Sequence, residues 1–141
     1  MQIAKIANMK SSKAEKLLKS YKPLQLNLKI IQRQVKANEI LYAYDENSET
    51  EAAINDLKTK YDAALSKLVK QNILIEKIIS TVDDFNQQAV LRLRYIEGLR
   101  WRDVSKRMNY CTDHCIRKAN TAIRKIDELL NNSAASKTDL N

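Results

Sequence analysis

Glycine and proline are nearly missing from this chain: 141 residues hold one of each, Gly98 and Pro23. A sequence so poor in turn formers cannot thread the repeated tight reversals of a β-sandwich or barrel. A single glycine also excludes a glycine-rich phosphate-binding loop. One His and two Cys fall short of the four ligands that a structural zinc site wants. Cys111, His114 and Cys115 stand at i, i+3 and i+4, where one helical face could present them together, but no fourth ligand follows, and no metal or cofactor is expected. No Ser–His–Asp or paired-carboxylate arrangement stands at a meaningful spacing, so an enzyme is not expected. Long apolar runs are lacking too. The longest, Ile73 to Ile79, is broken by Glu76 and Lys77 and is too short to span a bilayer. The N-terminus has no uninterrupted apolar signal region. The expectation is a chain without membrane segment or signal peptide, kept reduced in the cytoplasm.

What is present points one way. Leu, Ile, Ala, Lys, Glu, Gln and Asn dominate, which makes the expected class all-α. Net charge is +8 with a pI near 9.5, favouring a polyanionic partner. Residues 1–82 carry 14 Lys and Arg against 9 acids, residues 83–126 carry 10 against 5, and residues 127–141 carry 1 against 3. The type of base changes as well. Arg33 stands alone in the first stretch, whereas the second holds Arg92, Arg94, Arg100, Arg102, Arg107, Arg117 and Arg124. Arginine's planar fork suits phosphate and guanine.

Residues 1–20 are Lys-rich with scattered apolars (Ile3, Ile6, Leu17, Leu18), consistent with a frayed amphipathic helix. Pro23 suits a first helical turn, so a helix should start near Tyr21–Leu24. A stripe then runs Leu24, Leu28, Ile31, Val35, Asn38, Tyr42 at spacings of four and three. The segment 45–49 reads as a polar loop, with Ser48 or Thr50 available as a cap. A second stripe follows: Ile54, Leu57, Tyr61, Ala64, Leu68, Gln71, Ile75, Ile78, Val82, widened by Leu65, Asn72 and Ile79. Two such helices across a short loop predict an antiparallel, coiled-coil-like hairpin over 1–82. Each has more apolar width than one partner covers, so the hairpin should oligomerise or pack on another part of the chain.

Residues 83–130 read as a helix-turn-helix domain. Asp83 or Asp84 can cap a helix over Phe85–Glu97, whose apolar face uses Phe85, Ala89, Val90, Leu93 and Ile96. Gly98 should end it in the left-handed conformation. Leu99 and Trp101 lead into a short helix with Val104, Ser105 and Met108 inward, and Asn109 stands where a left-handed turn residue is needed. Tyr110 is expected to plug the core and Cys111 to stand at the cap. A helix over 112–130 should then bury Cys115, Ala119 or the Lys118 stem, Ala122, Ile123 and Ile126. Trp101 and Tyr110 are expected to be structural. Residues 131–141 should form a disordered tail.

The run LRLRYIEGLRWRDVSKRMNYCTDHCIRKANTAIRKI resembles the helix-turn-helix of phage-encoded transcriptional regulators of the ArpU/RinA type. These are in turn similar to the fourth region of primary sigma factors. The resemblance rests on Arg94, Tyr95, Ile96, Gly98, Leu99, Trp101, Asp103, Val104, Ser105, Met108, Tyr110, His114, Arg117, Ala122 and Ile123, and covers about a third of the chain. Cys111 departs from the family's Ser/Thr cap, Arg102 from a common acid, and Lys118 from a usually apolar place. The resemblance implies a sequence-specific regulator that binds double-stranded promoter DNA to control late phage gene expression, with RNA polymerase as a further candidate partner. It makes Thr112, Asp113 and Arg117 the base-reading candidates: Arg117 toward guanine O6 and N7, Asp113 toward cytosine N4 or Arg117 itself, Thr112 toward a thymine methyl. His114, Lys118, Thr121 and Arg124 become phosphate contacts, with Arg100, Arg102 and Lys106 from the preceding helix. Two alternatives stay open: a small-terminase-like DNA-packaging subunit, and a module docking on RNA polymerase or a repressor.

Overall fold

The computed structural model describes residues 12–139, with side chains through Ser133. Expectations for residues 1–11 and 140–141 lie outside the described residues. Among those described, all regular structure is helical: α1 Lys13–Lys19, α2 Tyr21–Tyr44, α3 Ser48–Ile79, α4 Phe85–Leu91 with a π-helical continuation Arg92–Ile96, α5 Trp101–Met108 and α6 Thr112–Asp139. They divide into two compact units. One is Tyr21–Ile73, and the other takes residues up to Ser20 together with those from Leu74 onward. The boundary therefore differs from the expected one at 82/83. The last turn of α3 buries Ile75 and Ile79 in the C-terminal core, and α1 packs there too.

In the Tyr21–Ile73 unit, Pro23 sits in the first turn of α2, where its missing N–H costs nothing. Asn47 caps α3, in place of the expected Ser48 or Thr50. Its Oδ1 accepts from Glu49 N at 2.8 Å, and its carbonyl accepts from Glu51 N at 3.0 Å. An Asn one residue ahead of Ser48 can reach the second helical N–H, which Ser48, already inside the helix, cannot. The two predicted stripes are buried or half-buried within this unit, with Ile31, Ile54 and Ala64 the most enclosed, but Leu65, expected to widen the second stripe, is exposed. Gln32 Nε2 donates to Tyr61 Oη at 3.3 Å, and Lys58 lies 3.9 Å from Glu39. Other large apolar side chains of the unit face solvent: Leu26, Ile30, Ile40, Leu41, Val69 and Ile73.

The second unit has a denser core of Leu18, Ile75, Ile79, Leu91, Val90, Val104, Cys115 and Ile126, each under 2% exposed. A fully buried Ile or Leu contributes roughly 1.5–3 kcal/mol. α1 begins with Ser12 Oγ accepting from Glu15 N at 2.9 Å, and the Ala14 N–H donates to Asp127 Oδ1 on α6 at 2.9 Å. Of the two candidate caps, Asp84 serves α4, its Oδ1 accepting from Gln87 N at 3.0 Å. α4 turns Gln87, Val90 and Leu91 inward. Phe85, two residues from Gln87 and so about 200° around the helix, is 78% exposed. That corrects its expected place in the core. With Ala89, Leu93, Ile96, Glu76, Arg92 and Glu97 it lines an open groove.

The turn after α4 is one residue wider than an α-helical one, since Glu97 N donates to Arg92 O at 3.0 Å. Gly98, at φ 73, closes it and lets Leu99 N reach Leu93 O at 3.0 Å. Asn109 ends α5 at φ 59, ψ 33, the left-handed conformation expected there. α6 buries Cys115, Ala119, Ala122, Ile123 and Ile126, so Ala119 rather than Lys118 takes the core position. The helix continues to Asp139, past the expected stop at 130. Residues 131–139 contain neither Gly nor Pro to break it.

Candidate nucleic-acid interface

The segment Trp101–Asp127 positions most of the candidate side chains. Its geometry starts from backbone constraints. Asn109 reverses the chain, Ser105 Oγ donates to the Tyr110 carbonyl, and Cys111 O accepts the first α6 bond from Cys115 N at 3.1 Å. Cys111 therefore occupies the cap position with its thiol exposed, while Cys115 is buried. Burial pushes the Cys115 thiol up from its ordinary pKa.

With Cys115, Ala119, Ala122 and Ile126 turned inward, helical spacing turns Asp113, Arg117, Asn120 and Arg124 outward, and all four are exposed. Thr112, His114, Lys118 and Thr121 flank that stripe and are half-buried. On α5, Arg102 and Lys106 are exposed. Arg100 heads the helix with its side chain 82% exposed, and its Nε lies 3.6 Å from Asp103. Among the described residues Arg102, Lys106, Arg117, Lys118 and Arg124 form no ion pair. Asp113 is not brought into an ion pair with Arg117, although the two are one turn apart. The Thr121 hydroxyl donates to the Arg117 carbonyl at 2.9 Å, and Arg124 approaches Thr121 Oγ1 at 3.5 Å. Its proton is thus committed to the helix, leaving lone-pair acceptance as its other role.

Three other arginines of residues 83–126 are engaged internally. Arg92 Nε lies 3.0 Å from Glu76, with its NH1 on Gln88 Oε1 at 3.1 Å. Arg94 donates to the Leu99 carbonyl at 3.0 Å and stands 4.8 Å from the Trp101 ring centroid. Arg107 lies 3.9 Å from Glu97. Arg94 and Arg107 brace the Gly98 turn, and Arg92 ties α4 to the end of α3. Trp101 is half-buried against the Arg94 guanidinium.

Tyr110 corrects an expectation. It is 38% exposed rather than plugging the core. Val104, Cys115 and Ile126 fill that space, and the residue after a left-handed Asn109 points its ring along the surface of α6. The ring centroid is 4.6 Å from that of His114, and Lys118 Nζ is 5.4 Å from the Tyr110 centroid. Asn86 Nδ2 reaches the hydroxyl at 3.5 Å. The i, i+4, i+8 spacing of Tyr110, His114 and Lys118 was the sequence signal for this ladder.

The docking of α1 on α6 also went unread, although Ser12-x-x-Glu15 has the form of a capping box. Near the same end, Lys125 Nζ donates to the buried Gln87 Oε1 at 3.1 Å. The Gln87 N–H holds the Asp84 carboxyl below its usual range, with Lys118 and Lys125 adding smaller contributions. Burial and then Glu15 push the Tyr95 phenol up.

No helix of the described residues is long and apolar enough to cross a membrane, and no group of three His, Cys, Asp or Glu among them could hold a metal ion. The protein is thus an all-helical chain with a basic, outward-facing helical surface. Its sequence matches, over residues 10–128, the model of the family described as Protein of unknown function (DUF722), and the chain belongs to that family. No curated protein and no solved structure matches it.

Proposed function

We propose that the protein is a sequence-specific DNA-binding transcriptional regulator, phage or prophage encoded, acting through promoter DNA. In this reading α5, the Asn109 turn and α6 form a helix-turn-helix of the sigma fourth-region kind. α6 enters the major groove, and α5 lies across the backbone. The observation that carries it is the division of α6 into a buried apolar stripe and an opposed exposed one. The exposed stripe presents Arg117 and Arg124, beside Arg102 and Lys106 on α5, with none of these cations in an ion pair among the described residues. Arg117 and Asp113 read base edges with Thr112. His114, Lys118, Arg124, Arg100, Arg102 and Lys106 take phosphates, and Thr121 orients Arg124.

The unit Tyr21–Ile73 is an antiparallel hairpin in this reading, supported by the contacts of residue 32 with 61 and 39 with 58. A second copy of the chain, carrying the same solvent-facing Leu26, Ile30, Ile40, Leu41, Val69 and Ile73, covers its apolar face. Sedimentation that returns only monomer at micromolar concentration removes that part.

The deciding experiment recovers genomic DNA fragments bound by purified protein and sequences them. One recurring motif upstream of an operon supports the regulator. Recovery centred on packaging genes by a ring-like oligomer favours a small-terminase role instead. No duplex affinity even at low salt refutes DNA binding and leaves docking on RNA polymerase or a repressor.

A further inference from the structure

We propose that Tyr110 is a positioning residue for DNA phosphate, holding His114 and Lys118 in place as a pair of donors; this rests on the DNA-binding reading above. The residue stands where three helices meet. Its carbonyl accepts from Ser105 of α5, its hydroxyl lies 3.5 Å from Asn86 Nδ2 ahead of Gln87 on α4, and its ring lies against α6. The backbone on either side is constrained by the left-handed Asn109 and by the Cys111 cap. Such a ring has little freedom to move, and it is the surface on which the first two turns of α6 arrange their polar side chains. His114 lies at 4.6 Å with a 49° tilt, and the Lys118 ammonium at 5.4 Å from the centroid.

A lysine otherwise samples many rotamers, and ordering it on contact with DNA costs conformational entropy. Cation–π attraction to the Tyr110 ring meets part of that cost before binding. Lys118 has no carboxylate within ion-pair range among the described residues, so its remaining donors are open to a phosphate oxygen. The imidazole, one turn earlier, offers a ring N–H to the same strand.

A double-mutant cycle tests this with a labelled random-sequence duplex about three helical turns long, titrated across a salt series. Lys118→Ala is expected to weaken binding and lower the salt slope by about 1. Tyr110→Leu, which keeps apolar bulk against α6, should weaken binding about two- to fivefold. Tyr110→Phe keeps the ring but loses the Asn86 contact, and should weaken binding less than Tyr110→Leu. The Tyr110→Leu, Lys118→Ala double variant should lose less than the product of the single losses, because the ring acts through the lysine. Strictly multiplicative losses, or an unaffected Tyr110→Leu variant, overturn the positioning role while leaving DNA binding intact. Wild-type protein with no affinity for the duplex overturns the DNA-binding reading and this inference together. Circular dichroism on each variant confirms that the helices persist. If Tyr110→Leu unfolds, Tyr110→Met, which also removes the ring but keeps apolar bulk, enters the same cycle and must show the same coupling.

Discussion

Arg92 and Arg117 offer the sharpest contrast: both are arginines of the same basic segment, yet Arg92 is engaged internally, whereas Arg117 is exposed and, under the proposed function, is left for DNA. Arg92 has a side chain 35% exposed, pairs with Glu76 at 3.0 Å, and donates to Gln88 Oε1 at 3.1 Å. A half-exposed ion pair contributes about 0.2–1 kcal/mol, and a hydrogen bond from a charged group adds a similar amount when partly solvated, so Arg92→Ala should cost about 1–2 kcal/mol of stability. For a domain of this size each kcal/mol lowers Tm by roughly 4–8 °C, so Tm should fall by roughly 4–16 °C. Its affinity for DNA should hardly change. Arg117 is exposed and takes part in no ion pair among the described residues. Replacing it with Ala should leave stability within about 0.5 kcal/mol. If it forks onto a guanine, specific affinity falls by about 1–3 kcal/mol, or roughly 5- to 150-fold, and discrimination at one base position relaxes. Thermal melts and fluorescence anisotropy on the recovered target sequence read both quantities. An Arg117→Ala variant with unchanged specific affinity shows that the assigned face of α6 is wrong. An Arg92→Ala variant that loses affinity while keeping its Tm shows that the division between bracing and DNA-facing arginines is wrong.

Four further outcomes follow from the packing and the turns. Ile126→Ala, at a fully buried position of α6, should lose about 2–5 kcal/mol in urea unfolding; a loss under 1 kcal/mol contradicts its core position. Asn109→Val, at φ 59, should cost about 1–2 kcal/mol while Asn109→Gly is tolerated, and equal stabilities would mean the turn is not left-handed in solution. Iodoacetamide should alkylate the exposed Cys111 quickly and the buried Cys115 only on unfolding, which mass spectrometry of native and denatured protein will distinguish. The Asp84 carboxyl is held below its ordinary value chiefly by the Gln87 N–H. A depressed folded pKa means that its stabilisation is complete above the unfolded value and is lost as pH falls through the folded one. Asp84→Asn should therefore flatten the loss of stability below about pH 4, and identical acid titrations of the two proteins would contradict the cap.

The helical class and the two stripes of residues 24–68 were legible because periodicity is a local property. Apolar side chains at spacings of three and four must share a face whatever they pack against. Gly98 and Asn109 were legible for a related reason, since a left-handed backbone selects its residue by sterics alone. Asn47 was missed as a cap because Ser48, Thr50 and Asn47 are all chemically able, and the choice depends on where the helix begins. The candidate site was legible as a set of residues, not as an arrangement. Spacing put Arg117 and Arg124 on one side of α6, yet nothing local separated them from Arg92 and Arg94.

The sequence by itself determined that the chain is helical, where its two left-handed turns fall, and which stripe of α6 is apolar, because sterics and helical period act within a few residues. Only the tertiary structure decided which arginines are consumed in bracing the Gly98 turn, that Phe85 and Tyr110 face outward, and that α1 docks on Asp127. Those outcomes depend on which groups meet across long separations in the chain. A burial or an ion pair has no sequence signature until its partner is in place.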